Sequence, residues 1–238
     1  MNDFERFEAM SFDCYGTLID WETGIANALR PWAQRNGLDI GDQALIAAYG
    51  RHETHVEDEM PAAIYPIILG ETLRRIGDGL GATVSDADAA AFGDSVKDWP
   101  AFPDTAQALK RLATKFKLII LSNIDRASFA ASNPRLGVKF DGIITAEDVG
   151  SYKPQPGHFD RLFEELQQLG VGREQHVHVA ESLFHDHEPA AKLGMPSVWI
   201  HRRHDKGGTG ATATPSSDVS PTWRFTSMAE FADAAVPA

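Results

Sequence analysis

Four short apolar runs, over residues 117–123, 142–149, 176–182 and 196–202, sit where the strands of a parallel sheet would be. Between them lie segments with apolar residues three and four apart, which predict helices. These are DTAQALKRLATKF, HFDRLFEELQQLG stopping at Gly170, and the short DHEPAAKLGM with Gly194 as its stop signal. With residues 7–12 as a first strand, the alternation predicts an α/β core with a doubly wound parallel sheet, and functional residues at the carboxyl ends of its strands. Residues 20–99 break the alternation. Four helical segments follow one another there (TGIANALRPWAQRNG, DQALIAAYGRHETHVEDEM, AAIYPIILGETLRRIGDGLG, SDADAAAFGDSVKDW) with no convincing strand, before a proline-containing hinge, WPAFPDT. The expected organisation is therefore a core domain of residues 1–19 and 100–238, with a helical cap of residues 20–99 inserted after the first strand and placed to exclude water from the strand ends. The stretch HDKGGTGATATPSSDVSPT, rich in Gly, Thr, Ser and Pro, predicts loop rather than core.

Composition narrows the picture. The 238 residues are 43% hydrophobic, enough for a real core. No apolar run approaches the ~20 residues that span a bilayer, and the acidic start MNDFERFEAM lacks a signal-peptide pattern, so a cytoplasmic protein without membrane contact is expected. The single cysteine, Cys14, excludes an internal disulfide framework and a cysteine-rich zinc site; a buried, inert side chain is expected for it. A formal charge of −12 argues against nucleic acid as a partner. An anionic substrate would have to be held by a few local arginines or lysines.

Four predicted strand ends carry polar residues: Asp13 with Thr17, then Ser122 and Asn123, then Lys153 in GSYKPQP, then Glu181 with Asp186 in VAESLFHDHEPA. This order resembles the haloacid dehalogenase superfamily of hydrolases, with a nucleophilic Asp, a Ser or Thr, a Lys and an acidic cluster on a Rossmann-like core with a helical cap. The residues have a chemical rationale of their own. A carboxylate attacking carbon or phosphorus forms an ester and splits one hard displacement into two easier steps. Thr17 and the amides of a glycine turn would orient Asp13, Lys153 would keep it ionised, and Asp186 would orient Lys153 or activate the hydrolytic water. His185 and His187, two residues apart, lack the partners of a metal site and are expected behind the site or on the surface.

Within that superfamily, phosphatases use Asp-x-Asp, the second acid protonating the leaving group and the first helping to bind magnesium. Here the second acid is replaced by Tyr15, a poor acid near neutral pH. The Asp-x-Tyr-Gly-Thr turn is similar to that of type II 2-haloacid dehalogenases, which implies attack on carbon without a metal or other cofactor. That resemblance also implies a cap arginine taking the halide, matched to Arg51, and roles for Tyr15, Ser122 and Asn123 around the substrate. One departure is Ala180-Glu181-Ser182 where well-known dehalogenases carry Ser-Ser-Asn. A carboxylate there suits a substrate with a cation. With WPAFPDT, LSNIDR, VGSYKP and RRHDKGGTGAT, the chain most resembles the branch that opens the four-membered ring of L-azetidine-2-carboxylate. Asp13 would then be the nucleophile, Arg51 with Ser122 the carboxylate clamp, and Glu181 the partner of the ring ammonium. (S)-2-haloacid dehalogenation is the alternative, with a phosphatase or a silent binding protein more distant. The expected partner is a small carboxylate substrate; a homodimer is left open.

Overall fold

The computed structural model describes residues 3–207, 210–215 and 218–237. Its strands form one parallel sheet: β1 (Ala9–Phe12), β2 (Lys117–Ser122), β3 (Gly142–Thr145), β4 (His176–Ala180), β5 (Ser197–Ile200) and β6 (Trp223–Phe225), in the order β3-β2-β1-β4-β5-β6. The parallel register sets Ala9 beside both Lys117 and His176, and Phe12 beside Ile120 and Val179. Strand order reverses at the β1–β4 pair, so the crevice beyond their carboxyl ends is where such a sheet places a ligand.

Side chains that alternate along each strand build a core on both faces, which is why the strands read as unbroken apolar runs. Leu118 and Ile120 join Phe12, Val177 and Val179 under α6 (Thr105–Leu112) and α11 (Met228–Ala235). Ile119, Leu121 and Ile144 pack on the other face against Phe159, Leu162 and Leu166 of α9 (Gly157–Gln168). The remaining core helices are α7 (Arg126–Ser132), the one-turn α8 (Ala146–Val149) and α10 (Glu188–Lys192).

Between β1 and α6 the described chain is helical: α1 (Trp21–Arg35), α2 (Asp42–Gly50), α3 (Glu53–Glu59), α4 (Tyr65–Leu80) and α5 (Asp86–Gly93). Its entry and exit run side by side, Ile19 bridging Ala101 and the Asp20 N–H donating to Pro100 O at 2.8 Å. Where they meet, α1 presses on Trp99 so closely that a Cβ on Gly24 would lie 2.3 Å from the indole Cγ. Among the described residues no helix is long and apolar enough to cross a membrane.

Three expectations are corrected. Residues 146–149, read as the end of a strand, are α8, because Thr145 and Asp148 form a reciprocal side-chain-to-backbone cap that starts a helix. The helix expected through DQALIAAYGRHETHVEDEM breaks into α2 and α3 at Arg51 and His52. Of the stretch 204–222, read as loop rather than core, residues 208, 209, 216 and 217 lie outside the described residues; the described ones are loop, but Ala211 among them is buried, its carbonyl against Gly50 of α2.

Candidate active site

The first turn is built for one carboxylate. The Asp13 N–H extends the ladder to Val179 O at 3.0 Å, and Gly16 then adopts φ +96°, a conformation a side chain would strain. That turn returns Thr17 to donate to Asp13 Oδ2 at 2.7 Å, while the same hydroxyl accepts the Glu181 N–H at 2.9 Å. Lys153 Nζ donates to Asp13 Oδ1 at 3.0 Å, Asp186 Oδ1 at 2.7 Å and Leu121 O at 2.8 Å. Its side chain is 1% exposed and all three ammonium hydrogens are committed. Asn123 clasps the Lys153 peptide, accepting its N–H at 2.6 Å and donating to its carbonyl at 3.1 Å.

One ammonium thus serves two buried carboxyls. Burial disfavours charge at Asp186, but Lys153 and His178, whose Nε2 lies 3.0 Å from Asp186 Oδ1, hold this carboxyl well below its ordinary pKa. Burial raises Asp13, with Lys153 opposing and Asp186 adding to the rise. Burial also works against Lys153, yet the two carboxylates outweigh it and hold its pKa above the ordinary value. Asp186 Oδ2 is buried without a protein partner.

Above the strand ends lies a cleft open to solvent. Asp13, Tyr15, Ser122, Asn123, Lys153, Glu181 and Asp186 all line it. Thr17 stands behind Asp13. Arg51 does not reach the cleft: it caps the carboxyl end of α2 and is exposed, because the break after α2 turns Glu53, Val56 and Glu57 of α3 inward instead. The expected cap cation is therefore replaced by two acids. Glu53 Oε1 accepts from Tyr65 Oη at 2.7 Å and from Tyr49 Oη, and burial lifts its pKa to about 7. Burial, with Glu53 nearby, pushes Glu57 well above its ordinary value.

The other residues divide by where their polar atoms point. Tyr15 lies edge-on to Trp99 and donates to Ser132 Oγ at 2.8 Å, so its hydroxyl is spent away from Asp13, and burial raises it further. Glu181 is half-buried; Thr212 donates to Oε2 at 3.2 Å and burial lifts the carboxyl to about 8. Cys14 is buried and unreactive by position, its thiol raised by burial. His185, expected behind the site or on the surface, lines the cleft, because a π-helical turn over Leu183–His187 rotates it inward. Burial lowers it to about 4. His187 is fully buried, spanning Ser197 Oγ at 2.9 Å and Ala180 O at 3.0 Å. Sequence reading missed Glu53, Glu57, Tyr65 and Thr212, and placed His185 outside the cleft that it lines. For the α3 pair, two acids four apart on one helical face was the available signal.

Among the described residues no group of three or more His, Cys, Asp or Glu side chains is placed to hold a metal ion.

A parallel sheet switching direction over an Asp-turn-Thr loop, with one lysine bridging two strand-end carboxylates, defines a hydrolase fold that the family comparison matches. The chain belongs to the haloacid dehalogenase-like hydrolases, whose family model covers residues 7–191. It is 26% identical over 238 residues to the (S)-2-haloacid dehalogenase of Pseudomonas sp. (strain YL), covering 94% of this chain and 92% of that one. In fold it is similar to a defluorinating L-2-haloacid dehalogenase (TM-score 0.76, 22% identity, covering 98% and 96% of the two chains). It is also similar to the L-2-haloacid dehalogenase of Xanthobacter autotrophicus with chloropropionic acid covalently bound (TM-score 0.75, 19% identity, covering 95% and 97%).

Proposed function

We propose that the chain hydrolyses small 2-substituted carboxylates through a covalent ester on Asp13, with the helical segment 20–99 acting as a cap. The observation that carries this is Asp13 held by Thr17 on one oxygen and by Lys153 on the other, at the mouth of a cleft. Asp13 attacks C2, and the leaving group departs with its bonding electrons. Water then adds to the ester carbonyl as Asp186 takes one of its protons through Oδ2; when the adduct collapses its remaining hydroxyl proton passes to the departing alkoxide, so that the 2-hydroxy acid leaves, Asp13 returns to carboxylate and Asp186 releases its proton to solvent. Lys153 offsets charge moving through both steps.

(S)-2-haloacid dehalogenation is the substrate reading that the relatives' activities support. Ring opening of L-azetidine-2-carboxylate is a second reading, favoured by Glu181 in the cleft, where a carboxylate repels halide and pairs with a ring ammonium. Turnover of (S)-2-chloropropionate, fluoroacetate, L-azetidine-2-carboxylate and a phosphate ester, side by side in chelator-treated buffer, separates them. In oxygen-18 water a single turnover should leave light oxygen in the product and the label in Asp13. Label in the first product means direct attack by water and removes the ester.

A further inference from the structure

The wall that α3 contributes has no task in that chemistry. Among the described residues, five carboxyl groups line the cleft (Asp13, Glu53, Glu57, Glu181 and Asp186) against one cation, Lys153, with no arginine in the lining. Lys153 has no hydrogen left to offer a ligand. Among the described residues neither Glu53 nor Glu57 forms a salt bridge; the Glu57 oxygens lie only 3.4 and 3.5 Å from Asn123 Nδ2, the outer edge of hydrogen bonding. Two further atoms on the same cleft await a ligand. Ser122 Oγ and His185 Nε2 are buried without a partner, on residues 1% and 8% exposed.

A bare carboxylate entering this space meets acids on the cap side and only neutral donors such as Ser122 on the core side. A ligand that also carries an ammonium meets the acids as partners, and Tyr49 and Tyr65 already fix Glu53 in place. We propose that Glu53 and Glu57 are specificity-determining residues that hold a positively charged nitrogen, so that the substrates of this enzyme are small amino acids with an ammonium beside the reacting carbon. This rests on the site reading above and deepens it, extending the charge argument from Glu181 to a pair of acids on the cap. Ser122 Oγ, buried without a partner on the same cleft, then donates to the substrate carboxylate.

The test uses the wild-type protein and two ligands without a strained ring or leaving group: L-proline, and cyclopentanecarboxylate as its counterpart lacking the nitrogen. Binding is measured by calorimetry. Proline should bind roughly ten- to a hundredfold tighter, the range of a charge-assisted contact. Glu57→Gln should remove most of that preference by weakening proline while leaving cyclopentanecarboxylate unchanged or tighter; Glu53→Gln serves if the first variant fails to fold. Equal or tighter binding of cyclopentanecarboxylate, or no binding of either ring, overturns the proposal, the first of these meaning that the acids act protonated as donors to an anion. Neither ligand reacts, so failure here is distinct from failure of the ester on Asp13.

Discussion

Two clusters of buried carboxyls face each other across the cleft and behave in opposite ways. At the strand ends Asp13 and Asp186 share the ammonium of Lys153, and Asp186 is held ionised. On α3, Glu53 is met by tyrosine hydroxyls and Glu57 by an amide, and burial pushes both toward the neutral form. A carboxyl at similar depth is held charged in one place and pushed toward its neutral form in the other. A cation within reach decides which, because burial penalises charge in both.

The strongest way to break the comparison is at the nucleophile. Asp13→Asn should reduce turnover by roughly 10⁴-fold or more while the circular dichroism spectrum is retained, since the shape is kept and only the attacking charge is lost. Surviving turnover would place the reaction elsewhere. Lys153→Met comes next, leaving two buried carboxyls without their cation; it should cost about 3–5 kcal/mol in urea unfolding. Glu53→Gln, which has no ion pair to lose, should cost about 1 kcal/mol or less. Equal losses in these two variants would mean that the clusters do not differ in charge.

Titration sharpens the contrast with a smaller effect. Glu53 at about 7 and Glu181 at about 8 both stand above an ordinary glutamate, near 4.5. Between those values the folded chain binds more protons than the unfolded one, so these groups lower stability as pH rises from about 5 to 8. The thermal midpoint should fall across that window, and Glu181→Gln should flatten its upper part. The Asp186 carboxyl, held low, acts in the opposite sense, losing stability only below the ordinary aspartate range. The smallest effect belongs to Tyr15→Phe, which removes a hydroxyl bonded to Ser132 rather than to the nucleophile. Turnover should change by less than about threefold and stability by about 0.5–1.5 kcal/mol.

The sheet was legible in the sequence because strands buried on both faces leave short apolar runs, and α9 because its apolar spacing ends at a glycine. β6 was hidden, being three residues beyond a polar tail and half-buried at a sheet edge. Asp13, Thr17, Lys153 and Asp186 were readable as a set because each follows a strand or sits in a motif near one, and parallel strands bring such ends together. Arg51 was misplaced for a local reason. Treating α2 and α3 as one helix leaves the orientation of each side undefined, and a two-residue break rotates Arg51 outward and Glu53 and Glu57 inward.

By itself the sequence determined the alternation of strands and helices, the helical interruption at residues 20–99 and the Asp-x-Tyr-Gly-Thr turn, because each depends on neighbours a few positions away. Only the tertiary structure decided which acids are charged. Ionisation depends on burial and on a cation's distance, and Lys153 reaches Asp13 across 140 positions of chain, while Glu57 meets Asn123 across 66. Contacts of that range are set by the packing of the whole sheet and the helices above it.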